Sequence, residues 1–179
     1  MNPNELSIDT YKQQFQTGAR SYLFYFQPVF PSGISVPQNP EARFLVKTTS
    51  LPMSSVEEMI TPWQGFDYKT GGKRMYNDLT VTFNVDLNAN IRKAFLAWQD
   101  MILDPQTNHH AYPEQYFTEQ DLVLLGLEFT PILSYKLHFA WPGEVGDLAL
   151  DYSQTAEIAS FDVTFKYTYF TWSDTPAGG

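Results

Sequence analysis

The chain has 179 residues, of which 43% are hydrophobic and 17% are charged, a balance typical of a single folded domain. Aromatic residues reach 16%, which favours pleated strands over a helical bundle. The absence of cysteine excludes disulfides, cysteine-ligated metal sites and thiol nucleophiles. A formal charge of -9, most of it in residues 91–179, excludes adhesion to nucleic acid through a basic surface.

The first 49 residues are predicted to contain an arm, two strands and a loop. Residues 1–17 are polar and are expected to form a flexible N-terminal arm that needs a partner to become ordered. They show no secretory signal pattern, and no run of 18 apolar residues occurs, so we expect neither secretion nor a membrane span. An aromatic run at 22–26 predicts a strand, and four prolines predict a long loop over 28–40. A second strand is predicted over 42–49.

The middle of the chain predicts three consecutive strands and one helix. Strands are expected at 55–61 and at 64–70, the latter ending in a turn at Gly71-Gly72, and strict alternation predicts a strand at 78–86. Because these strands follow one another closely, they are expected to be neighbours in one sheet. Apolar residues at helical spacing then predict a helix over 88–103, with Trp98 on its buried face.

The last third is predicted to be mostly strand. A polar loop over 104–120 precedes strands at 121–129 and 132–141, the second stopped by Pro142-Gly143. Its alternation places Phe139 and Trp141 on the apolar face. A final strand over 160–172 is unusually long, so we expect it to span two packed sheets or to extend an edge into a neighbouring molecule. Residues 173–179 are expected to be a flexible tail.

No pattern predicts catalysis or a cofactor. Glu57 and Glu58 are adjacent on a strand and point to opposite faces, so they cannot share a substrate. His109 and His110 lie in a polar loop without metal-ligand spacing, and His138 has no nucleophile beside it. We therefore expect no enzyme activity, no catalytic residues, no cofactor and no metal.

Several segments resemble the tail tube proteins of contractile-tailed, T-even-type bacteriophages. The most specific are WPGEVGDLALDY at 141–152 and EIASFDVT at 157–164. Further segments resemble the family's other strands and its helix: TTSLP at 48–52 with Val56-Glu57, GKR at 72–74 with NDLTVT at 77–82, KAFLAWQ at 93–99, and GAR at 18–20 with Leu23-Phe24. The resemblance covers most of residues 18–172, taken as a single tail-tube domain.

This resemblance implies a mainly β fold of two packed antiparallel sheets with one flanking helix. It implies hexameric rings that stack into the inner tube of a phage tail, through which the genome passes during ejection. If each subunit gives four strands to the ring, 24 strands form a barrel about 50 Å across, which leaves room for duplex DNA. Expected partners are other copies of the chain, the tail sheath protein, and baseplate and tail terminator proteins. DNA is expected to cross the lumen without specific binding, in a virion tail assembled in the host cytoplasm.

Two sets of residues are predicted to matter for the tube. The polar faces of the predicted strands indicate which residues face the lumen: Glu57, Glu58, Asp67, Thr80, Thr82 and Asn84. The segments that carry the resemblance imply a role in the fold or in an interface for seven residues: Trp98, Trp141, Pro142, Gly143, Gly146, Asp151 and Phe161. Alternative functions are a monomeric, aromatic-rich β-sandwich binding module, a tube subunit of a phage-like contractile injection device and, more remotely, a hydrolase on the same fold.

Overall fold

The computed structural model describes residues 19–34, 42–151, 153 and 158–174. The predicted arm at 1–17, residues 35–40 of the first loop and residues 175–179 of the tail lie outside this part of the chain. The described strands are β1 (Phe24–Gln27), β2 (Val46–Thr49), β3 (Ser54–Trp63), β4 (Phe66–Tyr76), β5 (Leu79–Asn84), β6 (Thr118–Leu125), β7 (Pro131–Val145), β8 (Ser160–Lys166) and β9 (Tyr169–Ser173). The described helices are α1 (Asn90–Ile102), a short α2 (Pro113–Tyr116) and a 3-10 turn (Ala42–Leu45).

Strand β7 joins two antiparallel sheets. Seven strands are hydrogen-bonded in the order β1-β6-β7-β8-β5-β2, with β9 also pairing to β7. The 15 residues of β7 reach both layers, because residues up to Ala140 pair with β6 and β9, and residues from Trp141 onward pair with β8. The predicted mainly β fold with two packed sheets and a flanking helix is therefore confirmed for the subunit.

The core lies between these layers and beneath α1. Strand β5 alternates as predicted, with Leu79, Val81 and Phe83 almost completely buried. Helix α1 places Phe95 and Trp98 against this layer, and the Phe95 ring centroid lies 5.1 Å from that of Phe83. The helix prediction is confirmed, since its apolar stripe can be buried only against a sheet face.

A buried glutamine fastens the proline-rich loop to the body. The side chain of Gln120 is fully buried; its Nε2 donates to the carbonyl oxygen of Val29 at 2.6 Å, and its Oε1 accepts from the Val29 amide at 3.0 Å. This pair satisfies both polar atoms of a group that would be costly to bury alone. Residues 28–34 of the predicted loop contain no helix or strand, as expected.

The prediction of a turn at Gly71-Gly72 is wrong. The two strands reverse instead at Gln64-Gly65, and both glycines lie inside β4, at a bulge opposite Val56 to Glu58. A Cβ on Gly72 would lie 3.1 Å from the carbonyl oxygen of Glu57. Here glycine permits close approach of two backbones rather than a chain reversal.

Strands β3 and β4 form a separate two-stranded sheet, which corrects the expected grouping with 78–86. Strand β5 pairs with β2 and β8 instead. The β2–β5 and β3–β4 pairs are successive parts of one long hairpin, interrupted at residues 50–53 and 77–78. Proline at position 52 has no amide hydrogen for the ladder, which explains the break in pairing there.

Pro142-Gly143 does not end β7, because a bulge at Gly143 lets the strand continue to Val145. A Cβ on Gly143 would lie 2.6 Å from Cγ of Lys166, so the glycine makes room for that side chain. The segment predicted as one final strand does reach both sheets, which was one of the two expectations. It does so as two strands, since β8 pairs with the end of β7 and β9 pairs with its first half.

Other boundaries also differ from the sequence prediction. Residues 42–45 form a 3-10 turn before β2, and the predicted loop at 104–120 contains α2 and the first residues of β6.

A bulge in β7 opposite β6 turns Phe139 outward, with φ at 57° and 46% of its surface exposed. Alternation is a local rule, and a bulge reverses it for the residue that it inserts.

Candidate assembly and lumen surfaces

The outer face of the β2-β5-β8 sheet is a ladder of short polar side chains. Thr48 Oγ1 donates to Thr82 Oγ1 at 2.9 Å, and Thr82 Oγ1 donates to Asp162 Oδ1 at 2.7 Å. In the next row, the hydroxyls of Thr80 and Thr164 are 3.3 Å apart. These β-branched residues suit strands, and their hydroxyls are satisfied by one another. The result is a wall of short hydroxyl groups whose charges are Asp162 and an ion pair between Lys166 and Asp78.

The β3–β4 hairpin has an apolar face that the rest of the described chain does not cover. Cross-strand pairing places four large side chains on one face of its distal half, with exposed fractions between 57% and 79%: Met59, Trp63, Phe66 and Tyr68. The opposite face carries an ion pair of 2.9 Å between Lys69 Nζ and Glu58. An isolated two-stranded hairpin is only marginally stable in water, so we expect the exposed β3–β4 hairpin to need a partner surface.

Aromatic packing and a tyrosine fix the root of the hairpin to the body. The amide of Asn77 donates to the Met53 carbonyl oxygen at 3.0 Å, and the Tyr167 hydroxyl donates to the carbonyl oxygen of Asn77. The Tyr76 ring packs edge-on against Phe170, with centroids 5.4 Å apart. Burial, reinforced by the negative charge of Asp78, raises the pKa of Tyr167 to about 12. The hairpin therefore leaves the body in a defined direction.

The strand edges of the body differ in how they are covered. Helix α1 is held against the end of β7, because Gln99 Nε2 donates to the Gly143 carbonyl at 3.4 Å and Arg92 donates to the Gly146 carbonyl at 2.7 Å. The terminal strands β1 and β2 of the seven-stranded path have no further strand beside them among the described residues. Open edges of this kind are templates for strand pairing between molecules.

A charged cluster covers the outer face of the β6-β7-β9 sheet. Lys136 Nζ lies 3.2 Å from Glu119 and 3.9 Å from Asp121, and His138 contacts Glu119 and Thr171 at 3.2 and 3.0 Å. The hydrogen bond from Lys136 lowers the pKa of the Glu119 carboxyl and, reciprocally, raises the pKa of Lys136. The outer faces of the two sheets thus differ in chemistry, one hydroxyl-rich and one ionic.

The predicted lumen residues fall into two separate groups. Thr80, Thr82 and Asn84 share the outer face of β5, whereas Glu57, Glu58 and Asp67 lie on the hairpin. The expectation that all six lie on one sheet is therefore wrong, because strand pairing is interrupted between the β2–β5 and β3–β4 pairs.

The residues of the second predicted set occupy structural positions. Trp98 is fully buried, and its Nε1 donates to the Tyr116 carbonyl oxygen at 3.0 Å. Trp141 packs partly buried against the core, and Phe161 is buried beneath the Arg92 guanidinium, 5.1 Å from the ring centroid. Pro142, Gly143 and Gly146 shape the end of β7 against β8, and Asp151 accepts hydrogen bonds from Ser153. Sequence reasoning missed Gln120, Tyr167 and the exposed β3–β4 hairpin, because their roles depend on residues that are distant in the chain.

The described part of the chain contains no cluster of three or more metal-ligating side chains. Nor does it hold a helix with the length and apolar character that a bilayer crossing requires.

Comparison with known proteins identifies the family. A family model described as "Phage tail tube protein" matches residues 7–173. The tail tube protein of Serratia phage KSP90 is 29% identical over 140 residues, covering 77% of this chain and 79% of the relative. Tail tube protein gp19 of Enterobacteria phage T4 is 26% identical over 137 residues, covering 71% and 79%.

Solved structures share the fold at low sequence identity. A chain of the anti-feeding prophage baseplate has a TM-score of 0.66 at 13% identity, with 89% of this chain and 98% of that chain covered. A chain of the sheath-tube complex of the extracellular contractile injection system PVC has a TM-score of 0.62 at 14% identity, covering 94% and 100%. The resemblance seen in residues 18–172 is confirmed, and the chain belongs to the phage tail tube protein family.

Proposed function

We propose that this chain is a non-enzymatic subunit of the inner tube of a contractile phage tail, assembling into stacked hexameric rings around a channel for DNA. Family membership makes it a component of the virion tail. The observation that carries the ring proposal is the β3–β4 hairpin, whose apolar face is left uncovered beside a body with open strand edges. A head-to-tail contact using two different patches closes into a ring and covers both features.

The channel wall is assigned to the hydroxyl-rich face of the β2-β5-β8 sheet. Together with the last residues of β7, this sheet supplies four strands per subunit, the number that gives a barrel about 50 Å across for six subunits. Thr80, Thr82 and Asn84 then face the lumen beside Asp162. The positive charge of Lys166 on this face is already paired with Asp78, so the wall offers phosphates no unpaired cation among the described residues. The charge of -9 per subunit amounts to 6 × -9 = -54 per ring, which further disfavours adhesion of DNA.

The remaining partners follow from this role. Residues 18–172 act as one tube domain, with the tail sheath outside the tube and baseplate and terminator proteins at its ends. Assembly takes place in the host cytoplasm. The ionic face of the β6-β7-β9 sheet then lies away from the channel.

Electron microscopy and sedimentation of the purified protein test this function. We expect rings or tubes at tens of micromolar, and a chain that remains near 20 kDa under these conditions would instead favour the monomeric binding module. Phe66→Ser, which removes an exposed ring from the hairpin, should abolish assembly. Leu87→Ser removes a fully exposed apolar side chain from a turn outside the hairpin and should assemble normally.

A further inference from the structure

The solvent side of helix α1 carries apolar side chains that no described part of the chain covers. Leu96 on the helix and Leu103 at its end lie about 10 Å apart, and they are 40% and 41% exposed. The chain then returns beside the end of the helix, where the Ala111 amide donates to the Ile102 carbonyl oxygen at 3.1 Å, and it brings in Tyr112, which is 75% exposed. We call this surface the α1 face and define it by its exposed residues: Leu96, Ala97, Asp100, Leu103, Tyr112 and Glu114.

The charge on the α1 face is negative. Asp100 and Glu114 are exposed and form no ion pair within the described part of the chain. Residues 94–135 contain six acids and no lysine or arginine. The last turn of α1 has no basic side chain, so the negative end of the helix dipole adds to these carboxylates instead of being offset by a cation.

The ionic face of the β6-β7-β9 sheet differs in this respect. Its carboxylates, Glu119 and Asp121, lie 3.2 and 3.9 Å from Lys136, which supplies their counter-charge within the subunit. On the α1 face the counter-charge must come from another molecule. The matching ligand is an amphipathic segment that presents lysine or arginine beside apolar side chains.

In the proposed tube, α1 lies on the side of the channel wall away from the lumen. Its buried Phe95 packs on the core side of β5 and β8, with ring centroids 5.1 Å from Phe83 and 6.4 Å from Phe161. Thr80 and Thr82 alternate to the opposite side of β5, which is the proposed wall of the channel. DNA in the lumen therefore cannot reach the α1 face, whereas a protein that surrounds the tube can.

We propose that the α1 face docks the tail sheath, by taking a basic amphipathic segment of the sheath protein. This inference rests on the proposed tube function and names the surface and the chemistry for one of its partners. Leu96, Leu103 and Tyr112 contact the apolar side chains of the segment, while Asp100 and Glu114 pair with its cations. Each contact is small and exposed, so salt weakens it, but six copies per ring in stacked rings act together.

Co-sedimentation of assembled tubes with the sheath protein of the same phage tests this docking. The double variant Asp100→Lys/Glu114→Lys should form tubes but bind sheath about tenfold more weakly or worse at low salt, because two attractions become repulsions. Leu96→Ser should also weaken sheath binding, and this loss should not depend on salt. Lys93→Glu, which adds negative charge at the start of the same helix, should instead strengthen binding at low salt.

A matched control makes the same change of charge on the other side of the wall. Glu144→Lys should bind sheath normally, because Glu144 is paired in register with Thr164 on the hydroxyl-rich face. Unchanged sheath binding by the double variant, or an equal loss with Glu144→Lys, would overturn the inference and leave the tube function standing.

Two further outcomes separate this docking from contacts between copies of the chain. If the double variant is folded by circular dichroism but forms no tubes, the α1 face joins subunits to one another, and the sheath assignment is overturned. If the unmodified protein forms no tubes, the proposed tube function itself is overturned.

Discussion

Replacement of Trp98 by alanine should destabilise the subunit strongly. The side chain is fully buried between Phe30, Phe95 and Phe165, with ring centroids 5.5, 6.4 and 6.5 Å away. Truncation of such a residue costs about 3 to 5 kcal/mol of unfolding free energy. For a chain of this size, each kcal/mol lowers Tm by about 2 to 4 °C, so the expected decrease is about 6 to 20 °C.

The hydrogen bond from Trp98 Nε1 to the Tyr116 carbonyl adds a second, smaller contribution that can be measured separately. Trp98→Phe keeps an aromatic ring in the cavity but removes the donor, so it should retain most of the packing and lose about 0.5 to 1.5 kcal/mol more than packing alone predicts. Trp63→Ala is the matched control, since that indole is 69% exposed on the hairpin and its loss should change subunit stability by less than about 0.5 kcal/mol.

The measurement is urea unfolding followed by circular dichroism, at protein concentrations below those that support rings, because assembly would add to the apparent stability. An unfolding free energy for Trp98→Ala within about 1 kcal/mol of the unmodified protein would refute the reasoning. So would equal losses for Trp98→Ala and Trp63→Ala, since burial could then not be the cause of the difference.

Three further predictions concern the lumen, Tyr167 and the hairpin. Replacement of Thr80, Thr82 and Asn84 on the β5 face by lysine adds 6 × 3 = 18 positive charges per ring. Such tails should assemble but eject DNA slowly at low salt. Normal ejection at low salt would mean that these three residues do not face the lumen. With the pKa of Tyr167 raised to about 12, ultraviolet titration should show a late tyrosine that Tyr167→Phe removes; its stabilising contribution is complete below the unfolded pKa near 10 and is lost as pH rises from about 10 to 12. Gly72→Ala forces a Cβ to 3.1 Å from the Glu57 carbonyl and should impair ring formation more than Gly71→Ala, whose Cβ makes an ordinary 3.6 Å contact; equal effects in sedimentation would contradict this.

The regular elements with one buried face could be predicted from the sequence. Strand β5 and helix α1 each bury a stripe of side chains whose period is a property of the local backbone. Burial of Leu79, Phe83 and Trp98 can therefore be predicted without knowing which residues pack against them. The polar face that carries Thr80 and Thr82 follows from the same alternation. Family-specific segments such as residues 141–152 identified the family for the same reason, since they are contiguous in the chain.

The assembly surfaces were decided by tertiary structure. Nothing local shows that β3 and β4 leave the sheet to which β5 belongs, or that Gly71-Gly72 accommodates a bulge rather than a turn. Strands β1 and β2 are separated by four strands in the sheet order, yet both line one groove with aromatic and basic side chains, so that surface exists only once the path has curved. Periodicity determines which face of an element is apolar, but pairing between distant segments determines which of those faces is covered within the subunit and which is left for a neighbour.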